Sequence, residues 1–210
     1  MVPILYEDKD IIVVHKPAGL ESQSSRGFAP DMVSEISCYL HNPQDIHKPA
    51  AGISRVQPPY VGVIHRLDKP VQGVMVYAKN QKSAAALSAA LQAGKMEKSY
   101  MAVICGQLVD KQGSYVDYLR QDRKNNTSEI VDKSVKDAKK AVLKYREMEV
   151  IHSPEDKEQM VSLIDIELLT GRHHQIRVQF AGHGTPLYGD GRYGGDISTI
   201  VDIKKKPAAR

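Results

Sequence analysis

Residues 141–169 constrain this chain more than any other stretch. AVLKYREMEVIH (141–152) and QMVSLIDIELL (159–169) are long runs rich in β-branched and aromatic residues. The polar turn Ser153-Pro154-Glu155-Asp156 lies between them. Runs of that kind joined by so short a connection predict an antiparallel strand pair, and such a pair needs a sheet and a covering layer to bury its apolar face.

The rest of the chain adds strands with a few helices between them. ILYEDKDIIVVHKPAG (4–19) reads as a short strand, an Asp-Lys-Asp turn, a strand at 11–15 and a Pro-Gly stop. EKSYMAVICGQL (97–108) alternates as a strand does, and residues 113–132 carry strand signals around the polar tip RQDRKNNTSE, an exposed hairpin. Three segments read as helices. In 31–41, Asp31 caps and Val33, Ile36 and Leu40 share a face. In 80–94, Ala84, Leu87 and Leu91 form a stripe before Gly94. The third is 171–184, where His173 and Arg177 share a face beside Ile176 and Phe180. Residues 42–60 read as a loop. The fold class is α+β, a mixed and mostly antiparallel central sheet with flanking helices.

A charged knot stands between two apolar runs. Val61-Gly62-Val63-Ile64 leads into His65-Arg66-Leu67-Asp68-Lys69, and Val74-Met75-Val76-Tyr77 leads out. Asp68-Lys69-Pro70 satisfies the chemistry of a plain turn. In an extended segment, however, Arg66 and Asp68 point to one side and Leu67 to the other. Leu67 then anchors the loop while two charges face outward. A carboxylate beside buried strands needs a cation, and Arg177 suits Asp68. Such a pair keeps the carboxylate ionised, fit to act as nucleophile or general base. An internal salt bridge without chemistry fits the same residues.

Several function classes fall away. Gly189-Asp190-Gly191-Arg192-Tyr193-Gly194 satisfies G-x-G-x-x-G. A dinucleotide site needs a helix after it and an acidic residue about 20 positions on. Only 16 residues follow Gly194, so a glycine-rich turn lining a site is the better reading. His173, His174 and His183 fit no zinc-hydrolase or zinc-deaminase spacing, and adjacent helical histidines point about 100° apart. No metal is expected. The two cysteines, Cys38 and Cys105, fall in a helix and a strand, so no disulfide framework is expected. No apolar stretch spans a bilayer and the opening MVPILYEDKD lacks a leader pattern. A cytoplasmic protein with no membrane partner is expected. The net charge of +4 over 210 residues favours an anionic partner without naming one.

Four ordered segments decide between the readings. HRLDKPVQGVMVYAKN (65–80) resembles the catalytic motif of the RluA family of RNA pseudouridine synthases. ILYEDKDIIVVHKPAGL resembles that family's opening motif, EKSYMAVICG its K-x-Y segment, and LLTGRHHQIRVQFAGHGTPLYGDGRYGG its third motif. Together they span residues 4–195. The resemblance implies isomerisation of uridine in rRNA or tRNA stem-loops to pseudouridine. As an isomerisation, the reaction implies no cofactor, nucleotide or otherwise. It implies Asp68 as the catalytic carboxylate, Tyr100 as the stacking platform for the target base and Arg177 as the partner of Asp68. It implies Arg66 as the residue filling the gap left by a flipped nucleotide. Lys16, His65, Arg172 and His174, basic residues inside the matched motifs, are expected to serve RNA binding or base flipping. The flipped base costs a few kcal/mol, and stacking on a tyrosine recovers about 1–3 kcal/mol.

The chain departs from the pattern at Val71-Gln72, where the family has small hydroxylated residues, and at Gln179, where it has histidine. No S4-like extension is read before residue 1. The expected organisation is a single catalytic domain over 1–210, monomeric, with two subdomains around a central cleft and a flexible tail at 197–210. RNA affinity is expected from the loop 42–60, the hairpin around Arg120–Lys124 and the Lys-rich tail. Two rivals remain: an N-glycoside hydrolase with Asp190 as second carboxylate, and an RNA-binding module that does not turn over, which Val71-Gln72 favours.

Overall fold

The computed structural model describes residues 2–24, 29–41, 58–153 and 156–194. The expected loop 42–60 lies outside them up to residue 57, as do Pro154-Glu155 of the expected turn and the tail at 197–210. The chain divides into two compact units, Met1–Lys95 and Met96–Arg210. Among the described residues every strand ladder is antiparallel, in keeping with the mostly antiparallel α+β expectation, and the ladders fall into a four-stranded and a five-stranded sheet.

The first unit is built on β1 (Ile4–Glu7), β2 (Ile11–Lys16), β3 (Gly62–Val63) and β4 (Gly73–Ala78), in the order β1-β2-β4-β3. Along β2 the side chains alternate, and Ile12, Val14 and Lys16 are the buried set. Helix α1 (Met32–Leu40) adds Met32 and Ile36 to Ile12, Val14, Met75 and Tyr77 in one core. Asp31 caps it through a reciprocal exchange with Ser34, as the sequence predicts. Helix α2 (Gln81–Gln92) is capped by Asn80. Its expected stripe of Ala84, Leu87 and Leu91 is half-buried, and its one buried residue is Ser83.

The second unit holds β5 (Ser99–Cys105), β6 (Gln112–Asp122), β7 (Thr127–Ile130), β8 (Lys139–His152) and β9 (Met160–Leu168), ordered β5-β9-β8-β6-β7. The predicted pair over 141–169 is β8 and β9, running from Leu143 opposite Leu168 to His152 opposite Met160. The predicted hairpin is β6 and β7, whose turn carries Asn126 at φ 52°. Helix α3 (Gln175–Gly182) lays Phe180 into a core with Ile104, Leu143, Ile164 and Ile166.

Here the sequence expectation needs a correction. The helix read over 171–184 starts only at Gln175, so His173 does not share a helical face with Arg177. His174 stops the helix from extending backward by taking the left-handed conformation, φ 52°.

Candidate functional site

The loop that carries Asp68 is shaped by groups beneath it. Val71 donates its amide to the Asp68 carbonyl at 3.0 Å, so Asp68–Val71 is a turn as well as a candidate site. Leu67 packs against the first core. One hydroxyl holds both of its backbone polar groups: Ser22 Oγ donates to Leu67 O at 2.7 Å and accepts from Leu67 N at 3.0 Å. His65 Nε2 accepts from Val76 N at 3.3 Å. Arg66 is exposed, whereas Asp68 and His65 are half-buried. Leu67 is therefore the anchor and Arg66 the outward charge that alternation predicts.

Lys16 corrects the sequence expectation. It is 0% exposed, so it cannot touch RNA as a surface cation would. Its Nζ donates to the carbonyls of Leu20 (2.6 Å), Pro17 (3.0 Å) and Lys69 (3.3 Å). Gly19, at φ 87°, brings its own amide to the same Lys69 carbonyl at 2.8 Å. The Lys16–Gly19 turn thus grips the Lys69 carbonyl, one residue past Asp68. Burial pulls the Lys16 ammonium down to about 8, and the Asp68 charge opposes that fall. The signal was present in the sequence: Lys16 continues the inward series Ile12, Val14.

The second unit arranges its candidates around the start of α3. Tyr100, on β5 opposite Ile166, is half-buried and packs against the second core. Arg177 makes a two-pronged pair with Asp190, Nε to Oδ2 and Nη2 to Oδ1, both 2.7 Å. The side chains are 17% and 3% exposed. Burial alone would raise the Asp190 carboxyl; the Arg177 bonds and charge outweigh it and hold the group below its ordinary range. Asp190, expected from the sequence only as the second carboxylate of a hydrolase, is thus a partner of Arg177, and no local motif announces that pairing.

Tyr193 ties this centre to the hairpin. Its ring lies 5.0 Å below the Arg177 guanidinium carbon. Its hydroxyl accepts from Ser128 N at 2.8 Å and meets His174 Nδ1 at 2.7 Å. His173 bridges Ser128 Oγ (2.9 Å) and Asn126 Oδ1 (3.1 Å), and its ring stacks on His174 at 3.7 Å. The two histidine rings are therefore stacked, 26° from parallel, and not splayed as a helix would place them. The cause is the left-handed turn at His174. Arg192 Nη1 reaches the carbonyls of Asn125 and Asn126 at 3.0 and 3.2 Å. Both His174 and His65 are engaged inside their own units, while Arg172 is exposed with Nε on the Lys140 carbonyl at 2.9 Å.

The Gln179 departure is also accounted for. The residue is fully buried. Its amide nitrogen donates to Asp117 Oδ2 at 2.8 Å and its oxygen accepts from Gln175 Nε2 at 3.0 Å. Gln175 in turn takes Thr170 Oγ1 at 2.8 Å and gives to Val142 O at 3.1 Å. An amide suits a position that must donate on one side and accept on the other.

Among the described residues no group of three His, Cys, Asp or Glu side chains is arranged to hold a metal ion. Among them, too, no helix is long and apolar enough to cross a membrane.

Comparison with known proteins places the chain in a family. Residues 10–182 match the family model described as RNA pseudouridylate synthase. An uncharacterized RNA pseudouridine synthase of Aquifex aeolicus is 34% identical over 203 residues, covering 95% of this chain and 58% of that protein. The ribosomal large subunit pseudouridine synthase D of Xanthomonas campestris is 33% identical over 194 residues, covering 92% and 52%. The chain thus spans a little over half the length of these relatives. Two solved structures share its fold. Human RNA pseudouridylate synthase domain containing 1 aligns with TM-score 0.74 at 20% identity, covering 96% of this chain and 73% of that one. Human RNA pseudouridylate synthase domain containing 4 aligns with TM-score 0.69 at 21% identity, covering 99% and 80%. With the family model matched over most of its length, the chain belongs to the RNA pseudouridylate synthase family.

Proposed function

We propose that this chain isomerises particular uridines in structured rRNA or tRNA to pseudouridine, with Asp68 as the catalytic carboxylate. The observation that carries the reading is the loop itself. A carboxylate follows an anchored leucine, sits in the field of a buried lysine and is preceded by an exposed arginine. Family membership supplies the reaction class. A relative named for the ribosomal large subunit supports rRNA as the substrate class.

In this reading Asp68 acts on the ribose or the base, Tyr100 stacks the flipped uracil and Arg177 pairs with Asp68 during the reaction. Arg66 fills the gap in the RNA, helped by His65, Arg172 and His174. Arg123 and Lys124, exposed at the hairpin turn, add affinity for phosphate. The enzyme works as a cytoplasmic monomer on an RNA stem-loop. The hydrolase rival loses ground on Asp190. A carboxylate locked on a guanidinium is a poor proton donor, and the inverting or retaining pair needs one carboxyl that holds its proton.

The test is nucleoside analysis. The protein is incubated with uridine-labelled rRNA and tRNA, and digests are read by mass spectrometry after a carbodiimide step. The wild type should form pseudouridine, and Asp68→Asn should lose activity by on the order of 10⁴-fold. Free uracil would mean hydrolysis, and binding with neither product would mean a module without turnover. Full activity in Asp68→Asn would defeat the mechanism.

A further inference from the structure

Lys98 stands two residues before Tyr100. The residues that alternate with it, Tyr100, Ala102 and Ile104, face the second core. Leu168 donates its amide to the Lys98 carbonyl at 2.9 Å, which fixes the backbone there. Glu167 stands opposite Ser99 and so belongs to the other face of the sheet, where it pairs with Lys144. The ammonium of Lys98 comes close to Gly171: a Cβ placed on that glycine would lie 3.7 Å from Nζ. The next residue is Arg172, whose guanidinium is steadied by the Lys140 carbonyl.

The Lys98 ammonium thus lies against the residue that precedes Arg172. Among the described residues neither Lys98 nor Arg172 has a carboxylate partner. Burial, then the Arg172 charge, lowers the Lys98 ammonium below its ordinary value. Holding two like charges together costs free energy that a bound anion returns. The chemistry divides well for phosphate: arginine offers a planar fork and lysine a compact point charge. Lys98 precedes Tyr100 by two residues, about 6.6 Å along an extended backbone, which roots both side chains on one side of the sheet.

We propose that Lys98 and Arg172 together seat one backbone phosphate of the RNA, next to the base that stacks on Tyr100. This rests on the functional reading above and adds a positioning contact to it. The seat fixes the register of the strand, so that one uridine and not its neighbour meets Tyr100.

The experiment is a salt titration of binding. A fluorescein-labelled, uridine-containing stem-loop RNA is bound to the intact chain, followed by anisotropy from low to moderate salt. Lys98→Gln and Arg172→Gln should each flatten the slope of log K against log[salt] by about 0.7–0.9, and the double variant by about twice that. Lys98→Arg should restore the slope, and Lys111→Gln, an exposed lysine of the same unit, should leave it unchanged. Circular dichroism checks that the variants fold; Arg172, on the surface, carries the test if Lys98→Gln does not. Slopes unchanged in the variants, or lowered equally by Lys111→Gln, would overturn the seat alone if the wild type still makes pseudouridine. A wild type that neither binds nor modifies RNA would overturn the functional reading and the seat with it.

Discussion

The two units hold their candidate residues by different means. In the first, Asp68 rides on a loop whose backbone is gripped by buried side chains: Ser22 on the Leu67 peptide, Lys16 on three carbonyls. In the second, side chains hold Arg177, among them the Asp190 carboxylate that takes two of its nitrogens and the Tyr193 ring beneath it. A backbone clamp fixes where a loop runs and leaves its outward side chains to the ligand. A side-chain clamp fixes one group's orientation and leaves little to move. The first arrangement suits a residue that reacts, and the second suits one that orients.

That contrast can be broken at either end. The largest effect is expected at Asp190→Asn, which takes the charge from the pair while keeping its shape. Breaking a buried ion pair costs about 3–5 kcal/mol, read as a lowered urea midpoint. A loss below 1 kcal/mol would mean that Arg177 is oriented by something other than Asp190. The next is Lys16. The unfolded chain keeps this proton to about pH 10.5, whereas the folded chain releases it near 8. Between these values the unfolded state binds more protons, so stability rises with pH, by about 3 kcal/mol in all. Below pH 8 both states hold the proton and the contribution is flat. Lys16→Met should erase that rise in urea denaturation across the window, and an unchanged pH profile would refute the buried clamp.

Gln179→Leu should cost about 1–3 kcal/mol, because Asp117 and Gln175 each lose a buried partner. Its thermal midpoint should drop while pseudouridine formation by the folded fraction persists. The smallest effect belongs to Arg120→Ala. The Arg120–Glu129 pair lies on the surface of the hairpin, both side chains about half exposed. Such pairs are worth about 0.2–1 kcal/mol and weaken in salt. A larger loss of stability would show that the hairpin is braced from its outer face and not through Tyr193 and Arg192.

Much of the fold was legible because strand periodicity is local. The pair over 141–169, the hairpin at 113–132 and the Asp31 cap each follow from residues close in sequence. The start of α3 was not legible, since the left-handed His174 depends on Tyr193, 19 residues away. Lys16 was misread for a related reason. A lysine is ordinarily a surface residue, and only three carbonyls converging from two loops make its burial tolerable.

By itself the sequence determined the strands, the order of the motifs and the identity of the loop that carries Asp68, because these depend on spacing and on contiguous residues. The tertiary structure decided the partners. It set Asp190 on Arg177, made Lys16 a clamp, satisfied Gln179 and brought Lys98 to Gly171. Charged and polar groups are indifferent to their neighbours along the chain. What fixes them is the cost of leaving a buried charge or donor without its complement, and that cost is known only once distant segments have met.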